Sequence, residues 1–132
     1  MPLIRIDLPQ GFSEPRIAAI ADATHQALIE AIGIPDADRF QVITEHPPGR
    51  LVMDPDFGGG PRGARSFVIH ITLRAGRTDD LKRGLYAAII RRLAAIGIEG
   101  RDVMVVLAEN APVDWAFADG VAFYAPARET VI

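Results

Sequence analysis

The chain repeats itself at half its length, and that constrains its fold more than any other feature. Gly11 and Gly76 stand 65 residues apart, as do Ser13 and Thr78; Gly33 and Gly97, Asp38 and Asp102, and Glu45 and Glu109 stand 64 apart. The change of offset leaves one residue of difference between the two helices. Self-similarity of this kind implies two copies of one supersecondary unit related by pseudo-symmetry. Each copy reads strand, helix, strand. In the first, residues 3–8 (LIRIDL) alternate apolar and polar like a strand with one buried face. Ser13 then suits an N-cap, Pro15 a first turn, and Ile17, Ile20, Ala21, Leu28 and Ile32 one apolar helix face, before Gly33 and Pro35 stop the helix. Residues 39–45 (RFQVITE) form the next strand, entered through the turn Asp36-Ala37-Asp38. In the second copy residues 67–73 (FVIHITL) are a strand, and Thr78 caps a helix with Asp79 and Asp80 in its first turn. Leu81, Leu85, Ile89, Leu93 and Ile96 are its apolar face, and residues 103–107 (VMVVL) the last strand.

The expected architecture is one α+β domain of tandem βαβ units, a four-stranded sheet with both helices on one face and right-handed crossovers. The units run from about 2–46 and 66–109, with a connecting loop at about 47–65 and a C-terminal segment at 110–132. That loop holds five glycines and four prolines, too many for the interior of an element. Its FGGGPRG run lacks the Lys-Ser/Thr ending of a phosphate-binding loop. Both faces of FVIHITL and VMVVL read as largely apolar, so the face without helices needs a cover, and oligomerisation is expected to supply it.

Composition removes several classes of function. Fourteen basic against 17 acidic residues give a net charge of −3, which offers no basic field for nucleic acid. There is no cysteine, so thiolate chemistry, disulfides and Cys-ligated zinc are excluded, and His25, His46 and His70 are too scattered for an expected metal site. No apolar run approaches the roughly 18 residues of a membrane span, and a soluble, cytoplasmic protein is expected. Thirteen of the basic residues are arginines. A nitrogen base or Schiff base is therefore limited to Lys82, a histidine or the chain's own amino terminus. Lys82 lies off the apolar stripe and is expected to be solvated. Arg74 follows the third strand directly, where its planar fork suits a substrate carboxylate.

Four segments in order carry a resemblance that spans nearly the whole chain: Met1-Pro2-Leu3, GIPDADRFQVITEH (residues 33–46), LRAGRT (residues 73–78) and Asp114-Trp115-Ala116-Phe117. With them the sequence resembles the tautomerase superfamily, and within it the malonate semialdehyde decarboxylase branch and its relatives. The resemblance implies a cofactor-independent homotrimeric enzyme, with no metal, that acts on a small carboxylate-bearing substrate. It implies Pro2 as acid or base once Met1 is removed, because only a free amine carries a basic lone pair. Burial and a nearby guanidinium would disfavour the cationic form of that amine. Arg74 corresponds to the substrate-binding arginine and Asp38 to a carboxylate that activates water or orients substrate, although Asp38 also suits ordinary turn chemistry. Trp115 and Phe117 would wall the site, a role compatible with core or interface packing.

Arg77 is a weaker candidate for the substrate, since it also suits a place beside the helix cap. The decarboxylase branch carries a second arginine two residues after the first, whereas here that position is Gly76 and the arginine comes one place later. Displaced so, Arg77 can point away from the site, although it stays a candidate for substrate binding. Enol–keto exchange by an N-terminal proline is accordingly the first expectation. A decarboxylase-like lyase or hydratase on a 3-oxo acid, or a non-catalytic trimeric ligand-binding module, are the alternatives.

Overall fold

A computed structural model describes residues 1–123; the end of the expected C-terminal segment, residues 124–132, lies outside the described residues. The element order is β1 (Pro2–Pro9), α1 (Glu14–Ile32), β2 (Gln41–His46), β3 (Phe67–Arg74), α2 (Asp79–Ala94) and β4 (Val103–Asn110), with short 3-10 turns at Gly100–Asp102 and Pro112–Asp114. The sheet order is β2-β1-β3-β4. Within each unit the strands are parallel, and β1 meets β3 antiparallel at the centre. This is the tandem βαβ architecture expected from the repeat.

Each helix starts as its cap residue directs. The Ser13 side chain accepts from Arg16 N and that of Thr78 from Leu81 N, satisfying amides that the first helical turn leaves unpaired. Gly33 ends α1 at φ 68°, and its N–H donates to the Ile29 carbonyl. Ile4, Ile6 and Leu8 of β1 and Ile69, Ile71 and Leu73 of β3 are fully buried against Ile20, Leu28, Leu85, Ile89 and Leu93 of the helices. Each such side chain contributes about 1.5–3 kcal/mol relative to exposure. Three members of the expected helix faces differ: Leu81 is exposed, Ile32 at the end of α1 is only partly buried, and Ile96 follows the end of α2 and is likewise partly buried.

Every strand has a boundary that moves. β1, β3 and β4 extend beyond the apolar runs, to Pro2 and Pro9, Arg74 and Asn110, because strand pairing continues past them, so Arg74 is the last residue of β3 instead of following it. β2 starts two residues late, at Gln41, leaving Arg39 and Phe40 in the loop before it. The face of the sheet away from the helices is also less apolar than expected. Alternation with the buried set puts Arg5, Asp7, Thr44, His70 and Thr72 there beside Leu3, Val42, Val68, Met104 and Val106, and His46 donates to Asp7 at 2.7 Å. Among the described residues no helix is long and apolar enough to cross a membrane.

Candidate active site

The central antiparallel pair sets the location. Pro2, buried, lies opposite Leu73, so the start of the chain sits beside the end of β3. Ile4 N donates to the Phe40 carbonyl at 3.0 Å, which draws the loop before β2 alongside the same end. In that loop the Asp38 carboxylate accepts the Met1 amine at 2.8 Å, and the two side chains are only 10% and 15% exposed. The turn reading of Asp38 holds as well, since its N–H donates to the Pro35 carbonyl. Three further bonds fix the loop to α1: buried His25 donates from Nε2 to the Asp36 carbonyl, Arg39 pairs with Asp22, and the Gln41 side chain donates to the Ala21 carbonyl.

The second wall grows from the turn between β3 and α2. Ala75 N donates to the Asn110 carbonyl at 2.8 Å, and the chain turns at Gly76 with φ 122°, a conformation that favours glycine. Arg77 then folds back and donates from Nη1 to the Arg74 carbonyl at 2.8 Å. Arg77 is half-buried while Arg74 is exposed. Burial first, and then the charge of Arg74, lower the pKa of the Arg77 guanidinium, while Glu109 and Asp38 raise it. Arg77 stays a cation regardless. The charges of Arg74, Glu109 and Asp38 thus reach Arg77, whose own guanidinium is turned back onto the Arg74 carbonyl. Lys82 is not simply solvated either: its Nζ donates to Glu109 at 3.0 Å, and both side chains are partly covered.

Aromatic rings close the site. Trp115, 9% exposed, stacks on Phe117 with ring centres 5.8 Å apart; Phe117 packs on Phe40 at 5.2 Å and edge-on against Phe123 at 5.0 Å. A cavity of about 370 Å³ opens here, lined by Met1, Pro35, Ala37, Asp38, Phe40, Phe117 and Phe123. Phe117 lines this cavity, and Trp115 stacks on Phe117 without lining it. Sequence reasoning missed Phe40 and Phe123. The available signal for Phe40 was its place two residues after Asp38, just ahead of a strand. Among the described residues no group of three His, Asp or Glu side chains is placed to hold a metal ion.

An amine terminus and a carboxylate at an apolar cavity can move a proton on a small substrate, and the β3–α2 turn offers two guanidinium groups that suit a carboxylate. Similar proteins share the arrangement of the chain. Family models described as "Tautomerase enzyme" match residues 38–118 and residues 2–57. The chain is 35% identical to "Probable tautomerase YusQ" of Bacillus subtilis (strain 168), over 92% of its own length and 97% of that protein. Among solved structures it superposes on FG41 malonate semialdehyde decarboxylase, inhibited by 3-bromopropiolate, with a TM-score of 0.87 at 41% identity, covering 98% and 97% of the two chains. A fused 4-OT described as a symmetric trimer follows at TM-score 0.75 and 28% identity, covering 91% and 94%. The chain belongs to the tautomerase family of enzymes.

Proposed function

We propose that this enzyme decarboxylates a small 3-oxo acid, with Pro2 as the acid and with Arg74 and Arg77 holding the carboxylate. The observation that carries this reading is the Asp38 carboxylate holding the amino terminus at 2.8 Å, with Arg74 and Arg77 offered by the turn after the strand that pairs with Pro2. With Arg77 taken as a second carboxylate anchor, enol–keto exchange no longer stands first on the ground of a single usable arginine. Removal of Met1 would make Pro2 the terminal amine, one residue from the carboxylate that holds the Met1 amine. A carboxylate so close favours a cationic amine, which suits an acid better than a base. In the reaction the bond to the carboxylate carbon breaks and its electron pair moves into the 3-oxo group. The oxygen takes a proton from Pro2 and carbon dioxide leaves. The resulting enol gains a proton from water at carbon and returns its O–H proton to Pro2. Two guanidinium groups fix the plane of the departing carboxylate, a gain in orientation. Trp115 and the three phenylalanines limit water.

Enol–keto exchange is the second reading, favoured by the phenyl-lined cavity, which suits an aryl enol acid. The assembly we propose is a homotrimer in which the mixed sheet face is covered. The test is a side-by-side comparison of kcat/KM on malonate semialdehyde and phenylenolpyruvate, with Arg77→Ala measured on both. Decarboxylation is expected to dominate and to depend on Arg77. A preference for phenylenolpyruvate that is indifferent to Arg77 would give the case to the second reading. Light scattering should return three times 14.3 kDa, and a monomer at micromolar concentration would remove the trimer.

A further inference from the structure

We infer that Asn110 is a positioning residue that ties the carboxylate anchors to the aromatic wall, an inference resting on the reading of the site given above. Asn110 ends β4 opposite Arg74 in the parallel register. Its two oxygens hold different walls. The backbone carbonyl accepts Ala75 N at 2.8 Å and so closes the turn carrying Arg74 and Arg77. The side-chain Oδ1 accepts the indole Nε1 of Trp115 at 2.7 Å. An indole N–H is a donor only, so the amide must present its oxygen there, which fixes its orientation. Trp115 is nearly buried, and a buried indole N–H without a partner is costly.

From Trp115 the tie reaches the cavity by two routes. The indole stacks on Phe117, and the Trp115 carbonyl accepts Phe123 N at 2.7 Å. The first unit shows that the side-chain bond is not a requirement of the strand end. His46, the repeat counterpart of Asn110, has the same backbone bond, from Gln10 N at 2.9 Å, but its side chain serves Asp7 instead. The side-chain half of the tie thus occurs where the anchors are and not at the opposite end of the sheet. Loss of the tie frees the rings from the arginines, so substrate holding suffers more than the chemical step.

Trp115 is the chain's one tryptophan, so its fluorescence reports the tie directly. The experiment measures Trp115 emission and acrylamide quenching in the free enzyme, with kcat and KM on malonate semialdehyde and phenylenolpyruvate. The variants are Asn110→Ala, Asn110→Asp, which keeps an oxygen at the same reach, and Arg74→Ala. Asn110→Ala should shift the emission to the red, increase quenching and raise KM about tenfold with a much smaller change in kcat. Asn110→Asp should restore both readouts. Unchanged emission in Asn110→Ala overturns the tie; changed emission with unchanged KM overturns its role in substrate holding. An Asn110→Asp variant as poor as Asn110→Ala overturns it too, because the acceptor oxygen would then not be what matters. Turnover indifferent to Arg74→Ala would instead sink the reading of the site, and the emission measurement, which needs no substrate, would still decide the tie.

Discussion

After β1 the chain turns at Gly11 with φ 122°, and Gln10 N donates to the strand-end carbonyl of His46 at 2.9 Å; after β3 it turns at Gly76 with φ 122°, and Ala75 N donates to the strand-end carbonyl of Asn110 at 2.8 Å. The next residue differs. In the first unit it is Phe12, buried edge-on against Phe67 with the Arg65 guanidinium over its ring; in the second it is Arg77, half-buried among charges. The opposite strand ends show the same divergence. Asp38 holds a free amine, whereas its counterpart Asp102 accepts the amide of Gly63 at 2.7 Å, where the connecting loop enters β3. Phe12, Phe67, Arg65 and Asp102 border a cavity of about 190 Å³, the counterpart of the 370 Å³ one. Two copies of one backbone therefore make two cavities, and among the described residues the Met1 amine stands at one of them. The backbone geometry follows from the sheet; the proposed chemistry would come from a free amine at Pro2 and from two arginines of the other unit.

The largest effect should come from making the two ends alike. Protein shown by mass spectrometry to retain Met1, or acetylated at its amine, has an amide at Pro2 just as β3 has at Phe67. Its kcat/KM should fall by about 10²–10⁴-fold, the usual contribution of a positioned acid or base. Full activity in such protein would mean that the free amine does not distinguish the two cavities.

The aspartates offer the next contrast. Asp38→Asn should reduce kcat/KM by about 10²-fold while leaving the melting temperature nearly unchanged, since it removes a charge beside the amine. Asp102→Asn should do the reverse: turnover within about twofold of wild type, and a stability loss of about 1 kcal/mol for a weakened bond to Gly63. Urea unfolding and steady-state kinetics on the same preparations check both arms. If the two variants lose activity equally, the second cavity is not a spent copy of the first.

The turn glycines give a smaller effect. A Cβ at Gly11 or Gly76 would meet nothing within 4 Å, so the cost of Gly→Ala at either is the backbone conformation alone, about 1–2 kcal/mol. Equal losses of stability are expected, with KM raised only in Gly76→Ala, because only that turn carries the arginines proposed to hold the carboxylate. A KM effect from Gly11→Ala would show that the ends of the sheet are mechanically coupled.

Those glycines also mark what was legible in the sequence. Gly11 with Gly76, Ser13 with Thr78, and Gly33 with Gly97 are local demands of a turn, a cap and a helix stop, so each shows as a residue type. The alternation of β1 and β3 shows the buried face for the same reason. The fold-back of Arg77 was not legible, because it depends on a bond to the Arg74 carbonyl across the Gly76 turn. Phe40 was placed in a strand on its β-propensity, and only the late start of β2 frees its ring for the cavity. Phe123 returns to the site through a backbone bond to Trp115 that no local pattern announces. The polar middle of the second sheet face comes from Arg5 and Asp7 pairing across to β3, which the apolar composition of FVIHITL and VMVVL does not announce.

The smallest effect separates the last turns of the two helices. α2 ends with Arg91 and Arg92, favourable at a helix C-terminus, whereas α1 has no basic residue in its last turn and carries Glu30 instead. The Glu30 carboxylate accepts from both arginines, at 2.8 Å from Arg92, so the cations of one helix end serve both. These hydrogen bonds, Arg91 first, lower the Glu30 pKa below its ordinary value of 4.5. A folded-state value below the unfolded one stabilises the protein above the ordinary value, and the contribution is lost as pH falls through the lowered one. Glu30 is solvent-exposed, so screening keeps the contribution small. Wild type should therefore melt slightly above Glu30→Gln at neutral pH, with the gap closing on acidification below pH 4.5. Thermal melts of the two proteins across that window check it. A gap that does not change with pH would assign the difference to something other than the ion pair, and the helix ends would then be matched without it.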